Sequence, residues 1–110
     1  MNKKGEAMPR INQEKKIKEI AYKYFAALNS LSLTHLSSGD NDPSSPFQKY
    51  YEDVEKAYSY LSPTHKTLIN KEFFYEDYPN WWTSLYSSYQ FKKLKKEAMW
   101  TFLRYFYEIH

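Results

Sequence analysis

Apolar residues recur at three- and four-residue steps in successive runs along this chain, and short stretches rich in serine, proline and asparagine separate the runs. That spacing places the apolar side chains of each run on one face of a helix. The last run is the longest. Phe91, Leu94, Ala98, Phe102, Tyr105 and Ile109 share one face of a helix expected from Tyr89 to His110. Beyond Ala98 the apolar positions spread. Met99, Trp100, Leu103, Phe106 and Tyr107 join that face and wrap nearly the whole circumference. A helix that is apolar all round is enclosed by other helices or by a partner subunit. The C-terminal half is therefore expected to be the central pillar of the fold, clasped by the first helix. Trp100 and Tyr107, opposite the Phe91–Ala98–Phe102 line, require a second packing surface.

The earlier runs read as ordinary amphipathic helices. Residues 1–9 form an expected flexible tail, and Pro9 suits a helix start. Ile17, Ile20, Ala21, Tyr24, Leu28 and Leu31 then mark a helix over about residues 11–30, with Lys15, Lys16, Lys18, Glu19 and Lys23 mostly on its solvated side. Residues 32–46 carry turn chemistry and predict a mobile loop. A second helix begins with Ser45 as cap and Pro46 in its first turn. It presents Phe47, Tyr50, Tyr51, Val54, Ala57 and Tyr58, with Glu52 and Lys56 as an outward i,i+4 pair. Ser62 and Pro63 open a third helix whose inner side carries His65, Leu68, Ile69 and Phe73. After Tyr78-Pro79, Asn80 is placed to cap a short helix holding Trp81, Trp82, Leu85 and Tyr86. Adjacent tryptophans on a helix point about 100° apart, so one of the two is expected deep in the core. The pattern as a whole predicts a single all-α domain, a compact bundle of about five helices with a long central C-terminal helix.

Composition narrows the chemistry. The 110 residues include no cysteine, which removes disulfides, Cys-ligated zinc and thiol catalysis. The basic N-terminus has no apolar run behind it, and no window approaches the roughly 20 apolar residues of a membrane span. A soluble, cytoplasmic protein is the expectation. His35, His65 and His110 stand apart from one another, and Asp40 and Asp42 fail as a calcium loop because Ser45 and Tyr51 occupy the sixth and twelfth positions. With no nucleophile, metal or phosphate-loop constellation, neither catalysis, cofactor nor metal is expected.

The net charge of +3 is mild, and the preponderance of lysine over arginine matches the codon bias of an AT-rich genome. The distribution of charge says more. Residues 1–46 have a net charge of +2, 47–80 of −2 and 81–110 of +3. A polyanion is thus expected on the last third, where Lys92, Lys93 and Lys96 lie opposite the apolar face with Tyr89 and Gln90 just before them.

From Leu61 onward the sequence resembles the DNA-binding end of sigma factors (region 4) and phage late-transcription activators of the ArpU and RinA sort. A Leu-x-Pro helix start comes first, here Leu61-Ser62-Pro63. A serine then opens the recognition helix, with apolar residues at plus four and plus seven and alanine at plus eleven, matched by Ser87, Phe91, Leu94 and Ala98. The resemblance covers residues 61–107 and implies a helix-turn-helix pair. It places base- and phosphate-facing roles on Ser88, Tyr89, Gln90, Lys92, Lys93 and Lys96, with double-stranded DNA as partner. The chain departs from that pattern at three points: the turn has no glycine, Trp81 stands where a small residue is usual, and the front of the helix has no arginine. It also looks like small helical proteins of AT-rich, wall-less bacteria, a likeness that implies no biochemistry. Two functions follow as expectations. One is a non-catalytic DNA-binding regulator. The other is an interaction or structural protein that docks a partner, or a second copy of itself as a homodimer, through Trp100 and Tyr107.

Overall fold

The computed structural model describes residues 10–38 and 46–109, with side chains at 12–31 and 46–109. Among the described residues four α-helices follow one another: α1 (Arg10–Ser38), α2 (Pro46–Ser59), α3 (Pro63–Ile69) and α4 (Ser88–Ile109). A π-helical turn over Asn70–Phe74 continues α3. Among the described residues there is no strand, and no described helix is long and apolar enough to cross a membrane.

Helix α1 runs well past its expected end. Residues 32–38, read from sequence as the start of a loop, are helical. No glycine or proline interrupts 31–38, and the first residue that strongly opposes a helix is Gly39. The rest of the expected loop, 39–45, and the expected tail, 1–9, lie outside the described residues. Helix α2 begins at Pro46 and α3 at Pro63, as expected. Ser62 caps α3 by accepting a hydrogen bond from the His65 backbone N–H at 3.3 Å, satisfying one of the first-turn donors that a helix leaves unpaired. The Glu52–Lys56 pair does not form. Glu52 instead accepts from Gln48 Nε2 at 2.6 Å, and the ion pair on this helix is Lys49–Asp53 at 3.0 Å.

The expected helix at Trp81–Tyr86 is replaced by consecutive turns. Trp81 N–H bonds to Tyr78 O at 3.1 Å, Thr83 N–H to Asn80 O at 3.1 Å and Leu85 N–H to Trp82 O at 2.9 Å. Side chains fix this path. The Thr83 hydroxyl donates to Asn80 O at 2.9 Å, and the Trp81 indole N–H donates to Glu72 at 2.7 Å. Neither tryptophan is deep in the core. Both are half-buried against one ring: Trp82 stacks on Phe91 at 4.3 Å with planes 5° apart, and Trp81 meets Phe91 edge-on at 5.9 Å.

The core gathers where all the helices meet α4. Ala98, Met99 and Phe102 are fully buried, as are Ile17 of α1, Ala57 of α2 and Leu68 and Ile69 of α3. Burying a side chain the size of Phe102, Ile17 or Leu68 contributes about 1.5–3 kcal/mol, so this line of contacts sets the position of α4. The helix is packed on one side only, however. Trp100 is 46% exposed and Tyr107 51% exposed, so the C-terminal half is not surrounded as its composition predicted. Helices α1–α3 cover the side that carries Met99, Phe102 and Phe106, and no described element lies over the other.

Candidate nucleic-acid interface

The front of α4 is built by a reciprocal cap. Gln90 N–H donates to Ser87 Oγ at 3.1 Å, while Ser87 N–H donates to Gln90 Oε1 at 2.9 Å. This is the capping-box arrangement of Ser-x-x-Gln, which satisfies two backbone donors at once. Phe91 N–H closes the first helical turn on Ser87 O at 2.9 Å. Phe91 itself is buried beneath Trp81 and Trp82, so the turn-rich segment and the helix start form one packed unit.

Above that anchor, Ser88, Tyr89, Gln90, Lys92, Lys93 and Lys96 are all exposed. Gln90 is already engaged. Bidentate pairing with adenine needs its Oε1 and Nε2 together, and Oε1 is held by Ser87. The role that the resemblance placed on it competes with the role it has. Lys92, Lys93 and Lys96 make no ion pair among the described residues, unlike Lys95 one position away. Lys95 Nζ lies 3.1 Å from Glu72 and 3.4 Å from Glu14 and sits over the Phe73 and Phe91 rings at 5.5 and 6.0 Å. Four lysines in five positions thus divide into one internal tie and three outward charges.

Lys95 went unnoticed in the sequence, yet a signal was present. It follows Phe91 by four residues and precedes Ala98 and Phe102 by three and seven, which puts it within the buried stripe. The acidic groups before α4 are partly neutralised in the same way. Lys71 pairs with Asp77 at 2.7 Å. Its hydrogen bond, joined by one from the Tyr78 backbone N–H, holds the Asp77 carboxyl below its usual range. His65 faces Glu97 at 3.9 Å. Among the described residues no group of three or more potential ligands gathers for a metal ion.

Half of the basic front lies on one surface with the two aromatic residues singled out separately in the sequence. At 100° per residue, Tyr89, Lys93, Lys96, Trp100 and Tyr107 fall within a sector of about 60°. Arg104 borders them, with its guanidinium 5.4 Å over the Trp100 ring and its Nε 3.1 Å from Glu108. The stripe is cationic at its front and aromatic behind, and from Tyr89 to Tyr107 it is about 27 Å long. Tyr107 rests edge-on against Phe106 at 5.5 Å, so one edge of its ring is supported by the core while the rest meets solvent.

No protein-family model matches the chain, and neither a curated protein nor a solved structure shows significant similarity to it.

Proposed function

We propose that this protein is a non-catalytic, cytoplasmic DNA-binding protein of the transcription-regulator kind, with α4 as its contact helix. The observation that carries this reading is the state of Lys92, Lys93 and Lys96. All three are exposed on the first turns of a capped helix and lack an acidic partner among the described residues, while Lys95 and Lys71 tie down Glu72 and Asp77. Unpaired cations fixed on a rigid element are what a phosphate backbone neutralises, and a major groove about 12 Å wide admits one helix. The supporting helix of a helix-turn-helix pair would be α3 with its π turn. The connection from Tyr75 to Ser87 is longer than the three or four residues of that motif's turn, so α4 would enter the groove as a single braced helix. Ser88, Tyr89 and the three lysines supply phosphate contacts in this reading, and Ser87 and Gln90 hold the helix start. The test is fluorescence anisotropy with a labelled duplex. The triple variant Lys92→Glu, Lys93→Glu, Lys96→Glu should abolish binding while circular dichroism stays unchanged, and undiminished binding by that variant would rule the interface out.

A second reading is favoured by the exposure of Trp100 and Tyr107: this part of the stripe docks another protein or a second copy of the chain. A homodimer formed there would have two-fold symmetry and bring two basic helix fronts to one duplex. Sedimentation of wild type against Trp100→Ala tests it, since a dimer that persists unchanged in the variant does not use this face.

A further inference from the structure

A second site lies on the other side of the core, away from the α4 stripe, where α1, α2 and the π turn meet. A half-open pocket of about 120 Å³ is walled there by the rings of Tyr24, Tyr58, Phe74 and Tyr75, together with Glu55 and Asn70. The π turn brings its wall together. Tyr75 N–H bonds to Asn70 O at 2.7 Å, an i→i+5 closure, and such local widening of a helix is frequent at functional sites. The ring of Phe74 is set edge-on to Tyr24 at 5.5 Å. Tyr24 donates its hydroxyl proton to Glu55 Oε2, which fixes the carboxylate at the pocket's exposed rim. Asn70 Oδ1 is sealed from solvent and has no hydrogen-bond partner among the described residues, so its negative end is uncompensated within the wall.

Aromatic rings, a fixed carboxylate and an uncompensated amide oxygen are gathered around the same small volume. We infer that this pocket binds a small alkylated ammonium group, held by cation–π contact with the rings and by the charge of Glu55. A primary ammonium is less well served, because it needs several accessible acceptors. Asn70 Oδ1 is out of solvent reach, and the Tyr24 hydroxyl proton is committed to Glu55. A quaternary nitrogen makes no such demand. Lys66 Nζ lies 5.9 Å from the centre of the Tyr58 ring but does not line the pocket. It is a competing cation for that ring, and removing its charge should help the ligand.

The same cation occurs in a free metabolite and in a methylated lysine side chain, and the probes separate these. Choline and Nε-trimethyllysine are titrated into the full chain while the Asn70 side-chain amide and tyrosine ring resonances are followed by NMR. Saturable shifts with a Kd of about 1 mM are expected, and the tighter of the two probes names the source. Glu55→Gln keeps an acceptor for Tyr24 and should weaken binding about tenfold. Tyr75→Leu keeps an apolar wall without the π face and should weaken it too, whereas Lys66→Gln should strengthen it. The inference is overturned if neither cation shifts those resonances. It is equally overturned if 3,3-dimethylbutan-1-ol, choline's uncharged carbon analogue, or ethanolamine, its primary-amine counterpart, binds as well as choline.

Discussion

Ser87 and Gln90 hold each other across the first turn of α4, each donating a backbone N–H to the other's side chain at 2.9 and 3.1 Å. This pair fixes where α4 begins and which residues stand on its open front. Because the bond uses Gln90 Oε1, it also takes the one amide on that front away from base recognition. What remains outward is Ser88, Tyr89 and the three lysines.

Removing the cap should be felt in stability before anything else. Ser87→Ala is expected to cost about 1 kcal/mol, read as a fall in Tm of about 4 °C. The helix content of the folded state should be nearly unchanged. A variant as stable as wild type would mean that water satisfies the helix start equally well.

The ring beneath the cap should be worth more. Phe91 is 7% exposed and is covered by both Trp81 and Trp82. Phe91→Ala is expected to cost about 3–5 kcal/mol, because the two indoles have no other ring to close on among the described residues. Chemical denaturation measures this directly. A loss under about 1 kcal/mol would show that the turn-rich segment is not anchored as described.

Much of this arrangement could be read in the sequence, and what could not has identifiable causes. The starts of α2 and α3 were visible because proline and serine act on their own backbone, as Ser62 does on His65 N–H. The basic front of α4 followed from helical periodicity alone. The turns at 79–85 were hidden because distant partners hold them: Glu72 bonds to the Trp81 indole and Phe91 stacks on Trp82. The acidic partners of Lys95 were hidden for the same reason, since they come from α1 and the π turn. Helix α1 runs on to Ser38 because serine is only a weak helix breaker and no glycine or proline stands at 31–38. The open face at Trp100 and Tyr107 shows a limit of composition, which reports apolar surface without saying whether a neighbour exists to cover it.

Alkaline pH should unfold the bundle through its tyrosines. Burial, reinforced by Tyr107 and Glu19, pushes the Tyr50 hydroxyl up to about 12, and burial with the hydrogen bond to Glu55 pushes Tyr24 higher still. In the unfolded chain both titrate near the ordinary value of about 10. The folded state then holds protons that the unfolded state has released, so stability falls as pH rises above about 10. The contribution of Tyr50 is fully present below that point and is lost as pH passes through 12. Tyr50→Phe should reduce the slope of stability against pH in this window. A slope identical to wild type would contradict the shift.

The most direct test of the central claim is the salt dependence of duplex binding. If Lys92, Lys93 and Lys96 each neutralise one phosphate, log K against log salt should have a slope of about −2.7. Lys96→Gln should make that slope shallower by about 0.9, while Lys95→Gln should lower stability and leave it unchanged. Absence of binding in dilute buffer, or a slope indifferent to Lys96, would contradict the assignment of this helix front to nucleic acid.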